Sequence, residues 1–111
     1  MSYYILDDHR SPVAEPDLLA WGRWYKKADR QIFEYNVDGV RISTVFLGHD
    51  NRPLPVGPPI LYETMIWGGE YDRHMSRCAT EDEARFNHAA AIAMVKGLEA
   101  DALEAVVKKF L

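Results

Sequence analysis

Four histidines, one cysteine and seventeen carboxylates are the side chains in this 111-residue chain that could do acid–base, nucleophilic or metal chemistry. His49 and Asp50 stand together, and Glu63, Asp72 and His74 lie further along, supplying nitrogen and oxygen atoms of the kind a divalent metal takes. Their spacing does not suit a metal, because no His-x-x-x-His, Cys-x-x-Cys or Glu-x-x-His pair occurs. His88 falls one turn beyond Ala84 on a C-terminal helix. It is expected at the boundary of the buried face with one hydrogen bond, since no neighbour is placed to orient it as a base. Cys78 precedes a helix start at Thr80, where a thiol pKa can fall, but a free cysteine is expected to be buried and inert. Ser2, Ser11, Ser43 and Ser76 lack a Gly-x-Ser-x-Gly elbow, and Gly68-Gly69 lacks the Gly-Lys-Ser frame of a phosphate loop. No nucleophile, base and oxyanion donor come together. The sequence therefore assigns no catalytic residue, no metal ligand and no cofactor.

The aromatics point elsewhere. Three Trp, six Tyr and four Phe exceed what one small core needs, and Tyr and Trp dominate interface hot spots because they bury large area at little entropy cost. Tyr3, Tyr4, Trp24, Trp67 and Tyr71 lie at the ends of elements or off the buried stripe, which makes them candidate protein-binding residues. The net charge is −4, and the densest basic stretch, Arg23 to Arg30, is interrupted by Asp29. Direct nucleic-acid binding is disfavoured on that count, because it needs a basic face that displaces counterions. One cysteine allows no internal disulfide, which fits a reducing cytoplasm. The first residues lack a basic segment leading into an apolar one, and no apolar run reaches the roughly 18 residues of a membrane span.

These residues need a scaffold, and the pattern predicts an α+β fold in one domain over 1–96, with a helical extension over 97–111. Tyr3–Leu6 reads as an edge strand, and Pro12 and Pro16 forbid a continuous helix or central strand over 9–16. A helix over 17–29 carries a stripe of Leu18, Trp21, Gly22, Tyr25 and Ala28, with Trp24 off it. Residues 31–37 and 40–47 alternate as strands around Asp38-Gly39, a two-residue type I′ turn signature. Gly48–Pro59, with four prolines, is a loop; 60–67 and 75–79 form a second hairpin. Thr80 and Glu83 make a capping box for a long helix over 81–110, either bent near Gly97 or split there, and Asp101 with Glu104 resembles a second box. The expected architecture is a four- to five-stranded, mostly antiparallel sheet with both helical segments on one face. Leu98, Leu103, Val106, Val107 and Phe110 stripe the tail. A helix ending at Lys96 already spans a small sheet, so this stripe is expected to form a two-fold dimer; the alternative is that the tail folds back onto the same sheet.

Five segments in combination carry a resemblance. They are Asp17-Leu-Leu-Ala-Trp-Gly-Arg-Trp24, Ala28-Asp-Arg30, Ser43-Thr-Val-Phe-Leu-Gly48, Tyr62-Glu-Thr-Met-Ile-Trp-Gly-Gly69 and Arg77-Cys-Ala-Thr-x-x-Glu-Ala84, with His88 beyond. Together they resemble a family of small proteins encoded by bacteriophages, prophages and some bacterial chromosomes. The resemblance covers residues 3 to about 95 and implies a genetic setting, not a mechanism. The chain departs from that pattern at His49-Asp50, which reverses the family's Asp-His order and further weakens a metal or catalytic role there, and in its C-terminal extension. The expected function is a non-catalytic accessory factor of the host-takeover or anti-defence class that occupies the surface of a protein partner. One alternative is a small enzyme or ligand-binding domain using a cleft between the 48–59 loop and the 62–69 strand. Another is an acidic nucleic-acid mimic, although no block of Asp and Glu stands out for that role.

Overall fold

Asp38 and Gly39 both take positive φ, 49° and 79°, which is what a type I′ turn requires. In the computed structural model, which describes residues 2–111, that turn joins β3 (Gln31–Val37) to β4 (Val40–Phe46). Before them come β1 (Tyr4–Leu6), β2 (Pro12–Ala14) and α1 (Leu18–Lys27). After them come β5 (Tyr62–Trp67), β6 (Met75–Cys78), α2 (Glu81–Lys96) and α3 (Leu103–Phe110), the last entered through a 3-10 turn at Ala100–Ala102. The main sheet has the order β3-β4-β5-β6 and is antiparallel throughout, so the fold is α+β.

The pairing Ile42↔Ile66, Thr44↔Thr64 and Phe46↔Tyr62 puts these six residues on one face, all buried beneath α2. The helix can come close because Ala84, Ala89, Ala91 and Ala93 occupy its buried side. Its start is the expected capping box: the Glu83 amide donates to Thr80 Oγ1, and the Thr80 amide donates to Glu83. Its end is Gly97 at φ 69°, a left-handed cap that turns the chain back.

The tail takes the alternative course and folds back onto its own chain. α2 and α3 are two helices, and α3 lies against α2. Val106 is buried with Ile42, Ile66, Ala89 and Ile92, and Val107 and Phe110 pack on the same cluster. Phe110 meets Tyr35 edge-on, with ring centroids 5.0 Å apart. The physical reason is that α2 leaves Tyr35 and Val40 partly open, and the tail finishes covering them. Leu98 alone of the stripe is strongly exposed. The second capping box does not form; α3 begins after Ala102 with no side-chain cap.

The main sheet has the smaller of the two expected strand counts. β1 pairs with β2 in a separate two-stranded sheet, so the main sheet has no fifth strand. Pro12 is tolerated because that small sheet leaves its outer side in solvent. The Tyr4 amide donates to Gly48 O, and the Asp50 amide to Ser2 O, which ties this hairpin to the end of β4. Helix α1 meets the rest of the molecule through its aromatic side chains. Trp21 Nε1 donates to the carbonyls of Tyr4 and Gly48 (3.0 and 2.8 Å), and the Trp24 ring stands edge-on to Phe46. Leu18 and Gly22, expected in the buried stripe, are exposed, because the covered side of the helix runs through Trp21, Trp24, Tyr25 and Ala28 instead.

Candidate functional site

The even-numbered residues of β4 and β5 face the helices, so strict alternation turns Arg41, Ser43, Val45, Glu63, Met65 and Trp67 to the other side. No helix among the described residues packs there. These six side chains line a shallow groove of about 210 Å³. Trp67 sits directly across from Arg41, and Met65 is flanked by Ser43 and Met75. Trp67 and Met75 are 42% and 44% exposed, high values for side chains of that size. Two ion pairs frame the groove: Arg41 Nε to Glu34 at 2.5 Å and Arg77 Nε to Glu63 at 2.9 Å. Gln31 extends the frame, since Arg41 Nη2 donates to its Oε1 and its Nε2 donates to Ser43 Oγ. Each cation on this face therefore has a carboxylate of its own.

The structure divides the five aromatic candidates. Trp67 lies on the open face, and Tyr71 is exposed in the turn between β5 and β6. Tyr3 instead packs against Trp21, at 4.7 Å between centroids. Tyr4 and Trp24 both pack on the cluster around Phe46 and Tyr62. The sequence reading missed Met65, Met75 and Arg41 as surface partners of Trp67. Period-two alternation through β4 and β5 was the signal that marks them.

The groups with chemical potential are closed off. His88 is fully buried, not at a boundary, because the alanines around it let α2 settle onto the sheet. Its Nδ1 lies 2.8 Å from Thr44 Oγ1, which in turn lies 2.7 Å from Thr64 Oγ1. The Phe33 ring is 5.5 Å away, and Nε2 has no hydrogen-bond partner among the described residues. Burial pushes the imidazole pKa down to about 4, so the ring is neutral at pH 7. Sealed from solvent and without a carboxylate to orient it, this histidine organises the core. Burial likewise pushes the Cys78 thiol up to about 11, helped by the nearby Glu83 carboxylate, and leaves it a poor nucleophile. Among the described residues no group of three or more His, Cys, Asp or Glu side chains is arranged to hold a metal. Asp72 accepts from the Gly68 amide and shapes the β5–β6 turn.

The long loop is organised by Asp50. One carboxylate oxygen accepts from the amides of Arg52 and Ile60 (2.9 and 3.0 Å), and the other accepts from Arg52 Nε at 2.6 Å. Asn51 N donates to Ile60 O and closes the base, while Arg52 Nη1 donates to Gly57 O inside the loop. Burial alone would raise the Asp50 pKa, but those amides and the guanidinium outweigh it and hold the carboxyl below its ordinary value. A groove of about 340 Å³ lies between the loop and Ser2, not between the loop and the 62–69 strand. Its only charged pair, Asp50 with Arg52, is committed to the loop itself. Asp50→Ala is expected to cost about 1–3 kcal/mol, the range for lost hydrogen bonds to a charged group. It should also speed proteolytic cutting within 52–59, as limited proteolysis with mass spectrometry would read; an unchanged cleavage rate would refute this role.

No helix among the described residues is long and apolar enough to cross a membrane. Compared with protein-family models, with curated proteins and with solved structures, the chain has no significant match.

Proposed function

We propose that this chain is a non-catalytic protein-binding factor that acts by occupying a partner's surface with the open face of its sheet. The single observation that carries the reading is that face: an exposed Trp67 beside Met65 and Met75, framed by the pairs Arg41–Glu34 and Arg77–Glu63. An apolar, aromatic centre with a polar rim is the common anatomy of protein interfaces. Tyr71 extends the contact at the hairpin turn. The paired charges speak against a nucleic-acid ligand, which gains affinity from cations free to release counterions. They also speak against a nucleic-acid mimic, which needs unpaired carboxylates on one face. The motif resemblance supports a phage or prophage accessory role, of the host-takeover or anti-defence class. A single buried, unpaired cysteine suits work in the reducing cytoplasm.

The test is capture of a stoichiometric partner from bacterial lysate by the immobilised chain, and then affinity measurement on variants. Trp67→Ala is expected to weaken the complex by about 2 kcal/mol or more, as for a hot-spot aromatic. Its thermal midpoint should barely move, because a side chain this exposed contributes within about ±0.5 kcal/mol to stability. Phe86→Ala, on an exposed part of α2, should change neither. Undiminished capture by Trp67→Ala would remove the open face from the interface.

A further inference from the structure

We infer that the free edge of β3 pairs with the same edge of a second copy of this chain, antiparallel across a two-fold axis at Tyr35. The backbone groups of β3 point alternately towards β4 and away from it. Val37 and Val40 flank a two-residue turn and so form a hydrogen-bonded pair; alternation makes Tyr35↔Ile42 and Phe33↔Thr44 bonded pairs as well. The amides and carbonyls of Glu34 and Asn36 are then turned away from β4. No backbone or side-chain group among the described residues bonds to them, whereas each inner strand of the sheet is paired on both sides.

Exposed edges of this kind are usually blunted, and elsewhere in this molecule they are. The other edge strand, β6, is four residues long and carries Arg77. The start of β3 is closed by a bulge between Gln31 and Phe33 and by Arg10, whose guanidinium donates to the carbonyls of Asp29 and Gln31. From Phe33 to Val37 there is no bulge, proline or lysine. This stretch of the main sheet carries none of those guards.

The side chains select the occupant. A two-fold axis at Tyr35 sets Glu34 of each copy opposite Asn36 of the other, so a carboxylate acceptor meets an amide donor twice. Both residues are exposed and point to the open face. The Glu34 charge is already balanced by its own Arg41, which limits repulsion between the two copies. On the helix side Tyr35 meets Tyr35 of the second copy, and Phe33 lies across from its Val37. Phe110 packs on Tyr35 in each copy and so borders the seam, giving the C-terminal helix a place beside the interface. A peptide of unrelated sequence would fill the backbone groups without matching this donor–acceptor pattern.

Sedimentation equilibrium over a range of concentrations tests the pairing. The wild-type chain is expected to dimerise. Asn36→Pro deletes an outward amide that the β3–β4 ladder does not use. Asn36→Glu sets a carboxylate against Glu34 of the second copy and disturbs no core residue. Each is expected to raise the dissociation constant tenfold or more, and added salt should relieve the Asn36→Glu defect by screening. Because Asn36→Glu keeps the fold, it decides the matter if the proline variant is unstable. A wild-type chain that stays monomeric, or a dimer that Asn36→Glu leaves unweakened, overturns the inference.

Discussion

Phe46→Ala is expected to lower the unfolding free energy by about 3–5 kcal/mol, the usual cost of emptying a buried phenylalanine site. That is a large share of the total of about 5–15 kcal/mol available to a domain of this size. Phe46 is fully buried and joins three parts of the molecule. It packs edge-on against Tyr62 of β5 (5.5 Å) and Trp24 of α1 (6.0 Å), and Leu6 of β1 belongs to the same cluster. Removing the ring leaves α1 with the Trp21 hydrogen bonds as its main remaining tie. Phe46→Leu, which keeps most of the volume, should cost less than about 1.5 kcal/mol if the site repacks. Urea unfolding monitored by tryptophan fluorescence reads both. A loss below about 1 kcal/mol for Phe46→Ala would mean that α1 and the N-terminal hairpin do not share one core with the sheet.

The second large effect is a loss of stability in mild acid. The buried His88 has a folded-state pKa of about 4 against an ordinary 6.5. Between those values the unfolded chain binds a proton that the folded chain refuses, so stability falls as pH drops from 6.5 towards 4. At 1.36 kcal/mol per pH unit the loss from pH 7 to 4.5 is about 2–3 kcal/mol. Other shifted groups act outside that window. Asp7 and Asp50 have lowered pKa values, so their contribution is complete above the ordinary 3.8 and is lost only at lower pH. Tyr62 and Cys78, pushed up by burial to about 12 and about 11, weaken the fold only as pH rises above their ordinary 10.0 and 9.0. His88→Leu leaves Thr44 and Thr64 hydrogen-bonded to each other and should flatten the melting temperature between pH 7 and 4.5. Parallel curves for the two proteins would show that another group titrates there.

What the sequence made legible was local. The Asp38-Gly39 turn, the Thr80–Glu83 box and the alternation through β4 and β5 each depend on neighbours one to four positions away, and each stands where the pattern puts it. What it hid depends on distant partners. His88 reads as a boundary residue until Thr44 and Thr64 arrive beneath it from two strands. Trp24 reads as exposed on a helical wheel, yet the covered side of α1 is the one that carries it, and its ring stands against Phe46. The tail stripe reads as unpartnered because the gap it fills, over Tyr35 and Val40, exists only after α2 has docked. The open face obeys the same division: Trp67 was legible as an aromatic at a strand end, whereas its bordering ion pairs needed the strand register.

The order of the main sheet also governs how quickly it can form. Each strand pairs with its neighbour in sequence, so every contact in β3-β4-β5-β6 closes a modest stretch of chain, and sheets with such low contact order assemble faster than interleaved ones. The demanding step is joining the two hairpins across the segment between Phe46 and Tyr62, because the entropy of closure grows with the length enclosed. In the folded chain Asp50 draws the amides of Arg52 and Ile60 to one carboxylate, so the enclosed segment is fastened at both ends and the part left free between the two hairpins is shorter than the sequence separation suggests.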